Sequence, residues 1–238
     1  MKAKNNPKNR RKLLEHQRRQ LELSNITEKE AKQRRIDSNL DTWVNSLPKT
    51  LKAAVPEKLH KLTVEKIRKT PLKPPHDKHI IISAEEITAS KFVAYTILYA
   101  LIQGGVTTPS AIRTTSLLDG YNNINGIFSA RKWKEYFFSH DAKVLLVEGG
   151  SKSLTLLSSK GEDQFWRELI EFTRNNDKLV IITYATDEKE RSKDIFIPSL
   201  TGEAELNYRL IKKSVFIPLT EEEEKEIRSE QEKVYRSI

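Results

Sequence analysis

A short apolar run that ends in an acid and two glycines constrains the fold of this chain more than any other feature. Residues 143–147 are Lys-Val-Leu-Leu-Val, and Glu148, Gly149 and Gly150 follow them. Such a run is typical of a buried strand, because it is brief, β-branched and closed by turn residues. A carboxylate at the carboxyl end of a buried parallel strand lies where open α/β sheets bind their ligands. The alternative is an ordinary strand capped by a turn, with Glu148 merely solvated.

Apolar strand patterns alternate with helical patterns over residues 79–219. Strands are predicted at 79–83, 110–118, 179–183 and 215–217, and helices at 89–103, 129–138 and 162–174. Gly104 and Gly105 are expected to close the first of these helices, and residues 221–236 form a charged terminal helix. Strands that alternate with helices of this length predict a three-layer α/β domain with a parallel sheet.

The positive charge of the chain is concentrated at its beginning. Of the net charge of +9, residues 1–78 carry 21 Lys+Arg and 9 Asp+Glu, or +12, whereas residues 79–238 carry 21 and 24, or −3. A basic arm on a near-neutral body suggests a polyanion or an acidic protein surface as partner, and a solvated tail is the alternative. The chain has no cysteine and no run long enough to span a membrane, so we expect a cytoplasmic protein.

The first 78 residues divide into three segments by pattern. Residues 1–36 are a basic arm, with one helix predicted at 9–23 and a second starting at Thr27, where Thr27 and Glu30 have capping-box spacing. Residues 37–70 are a small helical element with an apolar stripe that ends at Pro48. Residues 71–78 are a Pro-rich linker to the body at 79–219, and residues 220–238 are the C-terminal helix. The side chains that we expect to contact a partner or nucleic acid are Lys12, Arg18, Arg19, Arg34, Arg35 and Trp43.

The strand–loop–helix at residues 79–103 has the position of a phosphate-binding loop but not its residues. Lys91 can be aligned with the lysine of such a loop. Glu85 and Ser90 then take the places of the two glycines, and Phe92 takes the place of the hydroxyl that ligates Mg²⁺. A carboxylate repels a triphosphate and a phenylalanine ligates no metal, so a structural turn with a surface lysine is the alternative.

In order and spacing, the body resembles the AAA+ helicase loaders of the DnaC type and the related IstB-type transposition ATPases. Lys91 lies at the Walker A place, Glu148 on the first Walker B acid, and Gly149 where a second acid is usual. Thr183 ends a strand that resembles the sensor 1 strand, and Arg209 lies in a segment similar to the one whose arginine faces a neighbouring subunit. The resemblance implies an AAA+-like P-loop fold and a possible homo-oligomer. Since no motif is intact, we expect no catalytic residue, no metal site and no required cofactor, ATP and Mg²⁺ included.

The function that the resemblance implies is that of a replication accessory protein. Its N-terminal helices would bind a hexameric replicative helicase, and its body would hold that helicase or single-stranded DNA without hydrolysing ATP. One alternative is a sequence-tolerant DNA-binding accessory protein that acts without a helicase, and another is a transposition ATPase-like subunit. Arg131, Lys132, Trp133 and Lys134 combine cations with an aromatic ring, as single-strand binding surfaces do, although Trp133 also has core spacing with Phe137. A toprim fold would need an Asp-x-Asp pair on a later strand, which is missing here.

Overall fold

The computed structural model describes residues 7–52, 65, 78–116, 130–151, 160–174, 177–185, 205, 208–209, 212 and 214–236. In chain order the elements are helix α1 (Pro7–Ser46), helix α2 (Lys49–Lys52), strand β1 (His79–Ala84), helix α3 (Ile87–Gln103), a 3-10 turn (Pro109–Ala111), strand β2 (Ile112–Ser116), helix α4 (Ala130–Phe137), strand β3 (Val144–Ser151), helix α5 (Lys160–Phe172), strand β4 (Leu179–Ala185), strand β5 (Ser214–Pro218) and helix α6 (Glu221–Arg236).

The five strands form one parallel sheet in the order β2-β3-β4-β1-β5. The three central strands are rich in Val, Ile and Leu and are buried on both faces, as strands of parallel sheets covered by helices are. The predicted α/β class and parallel sheet are therefore confirmed. The strands predicted at 79–83, 110–118, 143–147, 179–183 and 215–217 correspond to β1, β2, β3, β4 and β5.

Helices cover both faces of the sheet and divide the core in two. On one face, Phe92, Ile97 and Leu98 of α3 and Ile227 of α6 pack against Ile82. The opposite face is covered by α4 and α5, whose large buried side chains are Phe137, Phe165, Trp166 and Leu169. The arrangement is compatible with the predicted three layers, and it leaves the carboxyl ends of the strands between helices from both faces.

Local sequence signals determine where α3 ends and where α6 begins. Gly104 caps α3, and Gly105 follows with a φ of +67°, a left-handed conformation that favours glycine. At the start of α6, the Glu223 amide donates to Thr220 Oγ1 at 3.3 Å, and the Thr220 amide donates to Glu223 Oε2 at 2.8 Å. This reciprocal pair is a capping box, and the helix boundaries expected from the glycines and from residue 221 are confirmed.

The N-terminal region contains one long helix where the sequence predicted two. Helix α1 has 40 residues, and Thr27 lies inside it with its hydroxyl donating to the Leu23 carbonyl at 2.9 Å. The predicted break at Thr27 was wrong, because its side chain bonds back to the preceding turn instead of capping a new one. Residue 36, where we divided the arm from the small helical element, also lies within α1. The helix ends at Ser46, two residues before Pro48.

The apolar stripe at the end of α1 packs on the body of the same chain. Leu40 and Leu47 are buried, and Trp43 contacts the core formed with α3. Ile36 lies near Gly105, just beyond the end of α3. Residues 53–64 and 66–70 of the small helical element and residues 71–77 of the Pro-rich linker lie outside the described residues, as do residues 117–129 and 152–159.

Candidate functional site

The candidate site lies at the carboxyl ends of the central strands, where α/β sheets bind ligands. Glu148 of β3 and Thr183 of β4 are register partners, and Thr183 also pairs with Ile82 of β1. Leu146 and Ile181, two residues earlier on β3 and β4, belong to the core beneath α3. Because side chains alternate along a strand, Glu148 and Thr183 share the face that α3 covers.

Glu148 forms an ion pair with Lys91 at this edge. Lys91 Nζ donates to Glu148 Oε2 at 2.8 Å, and the hydroxyl of Tyr95 donates to Oε1 at 3.4 Å. Lys91 and Tyr95 are one helical turn apart on α3, so both reach the same carboxylate. The side chains of Lys91 and Glu148 are 31% and 20% exposed. Both oxygens of Glu148 therefore have donors from the chain itself.

Tyr95 connects this ion pair to the N-terminal helix. Burial raises the pKa of Tyr95 above its ordinary value, and the charge of Glu148 and the hydrogen bond to it raise the pKa further. The phenol thus stays protonated and acts as a donor at neutral pH. Its ring stacks on Trp43 of α1 with the centroids 6.0 Å apart and the planes at 17°. Trp43, which we assigned to a partner surface, is therefore engaged with its own body.

Gly149 brings β3 against β4 beside the ion pair. A Cβ atom at residue 149 would lie 2.0 Å from the carbonyl oxygen of Thr183, far inside contact distance. The register between β3 and β4 shifts between Glu148 and Ser151. Thr183 is fully buried, and its Oγ1 has no hydrogen-bond partner among the described residues. The position after Glu148, where the resemblance would place a second acid, has no room for a side chain.

The turn from β1 to α3 is shorter than the loop predicted over residues 84–88. It contains only Glu85 and Glu86, because α3 already begins at Ile87. Ser90 lies inside the helix and its hydroxyl donates to the Ile87 carbonyl at 2.9 Å. Phe92 is 0% exposed and packs in the core. The residues aligned with a glycine and with the magnesium ligand of a phosphate-binding loop are therefore helical and structural.

A carboxylate from the far end of the chain lies on this turn. Glu224 of α6 accepts the backbone amide of Glu85 at 2.9 Å and that of Glu86 at 3.3 Å. Its side chain is buried, with the residue 1% exposed. Arg228, one turn later on α6, forms an ion pair with Glu86 at 3.2 Å. The sequence contains no signal for this contact, since the two segments are 139 residues apart.

These contacts show that the residues present do not fit Mg·ATP. The backbone amides of the turn are bonded to Glu224, Phe92 cannot ligate a metal, and Gly149 leaves no space for a second acid. Within the described residues, no group of three or more His, Cys, Asp or Glu side chains could hold a metal ion.

The predicted partner-binding residues lie along α1. Arg18 pairs with Glu22 at 3.1 Å and Arg19 with Glu15 at 3.2 Å, each one turn away on the exposed helix surface. Arg34 and Arg35 are exposed, and Lys12 lies in α1 with its side chain outside the described part. All residues from 14 to 35 are exposed, including the large apolar side chains Leu14, Leu21, Leu23 and Ile26.

Within the described part of the chain, the contacts of the remaining predicted residues lie elsewhere than at this cluster. Arg209 is exposed and pairs with Glu205 four residues earlier. Lys132 is exposed on α4, and Lys134 pairs with Glu168 of α5, whereas the side chains of Arg131 and Trp133 are outside the described part. Sequence reasoning thus placed Lys91, Glu148 and Thr183 at one edge of the sheet and missed Tyr95, although its spacing of four from Lys91 was a usable signal.

Comparison with known proteins adds no family assignment. The sequence matches no family model and no curated protein. Among the helices of the described residues, none combines the length and apolar character that crossing a membrane requires.

Proposed function

We propose that this chain is a replication accessory protein, similar to a helicase loader, that binds a hexameric replicative helicase through helix α1. Its body would serve as an AAA+-like scaffold that does not hydrolyse ATP. The exposed length of α1 is the main observation in favour of helicase binding. The geometry of the sheet edge supports a body that does not hydrolyse ATP.

Helix α1 is attached to the body near its C-terminal end and is exposed to solvent over most of its length. Its 40 residues span about 60 Å at 1.5 Å per residue. The C-terminal part is fastened to the body through Leu40, Trp43 and Leu47, while every residue from 14 to 35 is exposed. Leu14, Leu21, Leu23 and Ile26 are 52–65% exposed, and a long helix that presents apolar and basic side chains to solvent has the features of a partner-binding helix.

The sheet supports an AAA+-like body. Strand β4, which contains Thr183, lies between β1 and β3. The strands next to the predicted Walker A, sensor 1 and Walker B positions are therefore neighbours in one sheet. Lys91 and Glu148, which the resemblance assigns to the Walker A and Walker B places, form an ion pair at 2.8 Å. The adjacency of these strands and the ion pair between Lys91 and Glu148 favour an AAA+-like body.

The same edge argues against ATP hydrolysis. In P-loop enzymes a hydroxyl and an acid hold Mg²⁺, and a further residue positions the attacking water. Here Phe92 is in the core, and a side chain at residue 149 would collide with Thr183. We therefore expect neither turnover nor a shift in melting temperature when ATP and Mg²⁺ are added to the full chain. Micromolar ATP affinity with turnover that Lys91→Ala abolishes would overturn this part of the proposal.

Binding to the replicative helicase of the same host tests the first part. We expect the double variant Leu14→Ser/Leu21→Ser to weaken the complex at least about tenfold, because two exposed anchors contribute of the order of 1.4 kcal/mol or more to binding. Val106→Ser is the matched control, since Val106 is 61% exposed on the body. Equal affinity of the double variant and the control in size-exclusion or interferometry measurements would contradict the proposal.

Sequence-tolerant DNA binding is the second candidate, and the adjacent exposed Arg34 and Arg35 on α1 favour it. If DNA is the partner, Arg34→Ala/Arg35→Ala should weaken binding to single-stranded oligonucleotides. Binding should also depend less on salt, because a protein that makes fewer phosphate contacts releases fewer counterions when it binds. Lys225→Ala, an exposed base on α6 paired with Glu221, is the control. Gel shift without helicase separates this function from the first.

A further inference from the structure

The turn between β1 and α3 is bound by an anion that the chain itself supplies. We infer that Glu224 is a built-in anionic ligand of this turn, and that α6 thereby keeps the turn ordered without a nucleotide. The inference concerns the body and α6, and it requires no helicase or DNA.

The first observation is that the carboxylate of Glu224 is both buried and hydrogen-bonded. Glu224 is 1% exposed, and a buried carboxylate is unfavourable unless it is paired or hydrogen-bonded. Its Oε1 accepts the Glu85 amide and its Oε2 accepts the Glu86 amide, at 2.9 and 3.3 Å. Successive backbone amides that point at one anion form the kind of concavity in which proteins bind phosphate. Glu224 therefore takes the role that a ligand phosphate has at a strand-to-helix turn.

The second observation is how α6 is fastened around this contact. Ile227 is fully buried in the core beneath α3, and Arg228 pairs with Glu86 at 3.2 Å. Helix α6 also contacts α2, which follows the anchored end of α1. The apolar packing of Ile227 is independent of the carboxylate, so removing the charge should loosen the turn without detaching the helix.

The contact has a consequence for the order of the turn. In a nucleotide-dependent protein, the ordering of this turn varies with ligand concentration, because the ligand stabilises only the state that binds it. Here the anion is covalently part of the chain, so its effective concentration is constant. The turn should remain ordered whether or not nucleotide is present.

Hydrogen exchange at the Glu85 and Glu86 amides tests the inference directly. In the full chain, we expect Glu224→Ala to accelerate exchange at both amides about ten- to a hundredfold, the factor that matches the loss of one hydrogen bond to a charged acceptor. Sodium formate, which can enter the space left by the side chain, should slow exchange again, whereas sodium chloride at equal ionic strength should not. Exchange at wild-type rates in folded Glu224→Ala would overturn the inference, and so would faster exchange that formate does not slow.

Two further variants keep the test decisive. Glu222→Ala removes an exposed acid from the same turn of α6 and should leave both exchange rates unchanged. Glu224→Gln keeps the side-chain volume and one acceptor oxygen, so exchange should accelerate at one or both amides even if Glu224→Ala does not fold. Wild-type exchange at both amides in Glu224→Gln, or equal acceleration in Glu222→Ala, would refute the role of the carboxylate.

Discussion

Replacing Gly149 by alanine is the sharpest test of the close approach between β3 and β4. The added Cβ would lie 2.0 Å from the Thr183 carbonyl oxygen and 3.0 Å from Cδ2 of Tyr184. Unstrained contacts between such atoms need about 3.5 Å, so the strands must separate by more than about 1 Å. The obstructing atom belongs to the backbone of a central strand, which cannot rotate away as a flexible side chain could.

The expected loss of stability can be built from two terms. Overpacking a tight interior site costs about 1–3 kcal/mol. Separating the strands near Gly149 also weakens one or two ladder hydrogen bonds, at about 1 kcal/mol each. We expect a loss of about 2–5 kcal/mol in the free energy of unfolding, which for a chain of this size lowers Tm by roughly 4–20 °C.

Urea unfolding followed by circular dichroism measures this loss. Gly104→Ala is the control, because its Cβ would lie 3.2 Å from the Ala100 carbonyl oxygen in a residue with a helical φ of −74°. The control should change stability by less than about 1 kcal/mol. A Gly149→Ala variant that is as stable as the control would refute the proposed geometry of the β3–β4 edge.

Two further predictions concern the ion pair at the sheet edge. Because the pKa of Tyr95 is raised in the folded state, the unfolded chain loses this proton first as the pH rises above about 10, and the folded protein loses stability there. Tyr95→Phe should therefore lose less stability than the wild type between about pH 9 and pH 11 in urea titrations. Tyr208→Phe, at an exposed site, should follow the wild type. If the stability of Tyr95→Phe falls with pH in parallel with that of the wild type, the prediction is contradicted. A double-mutant cycle of Lys91→Ala and Glu148→Gln should give a coupling of about 1 kcal/mol, and a value within about 0.3 kcal/mol of zero would show that the contact contributes nothing.

The elements of the body were predictable because their signals are local. The β-branched runs of β1 and β4 are too short for helices and too apolar for surface strands, and Gly104 and Gly105 mark the end of α3. The position of Glu148 at the edge of the sheet followed from the rule that ligands bind at the carboxyl ends of parallel strands, whereas its grouping with Lys91 and Thr183 was implied by the resemblance. Periodicity and turn chemistry were sufficient for the helices and strands.

Features that depend on distant partners were not predictable in the same way. Thr27 and Glu30 have the spacing of a helix start, but the continuation of α1 through them is decided by the flanking helical residues. The contact of Glu224 with Glu85 and Glu86 joins the C-terminal helix to the first turn of the body, and no local pattern relates these two segments. In the sequence, Gly149 stands where the resemblance would place a second acid. The structure shows that this position requires glycine for steric reasons.

The position of β1 in the sheet has a consequence for how the chain is made. His79 pairs with Val180 on one side and with Ser214 on the other, so this central strand has no neighbour until the second half of the body is synthesised. Pairings of such long sequence separation close late and slowly, and until then the strand presents unpaired backbone groups. A ribosome that stalls before β4 therefore releases a chain in which β1 has neither of its partners and is open to aggregation or to capture by a chaperone.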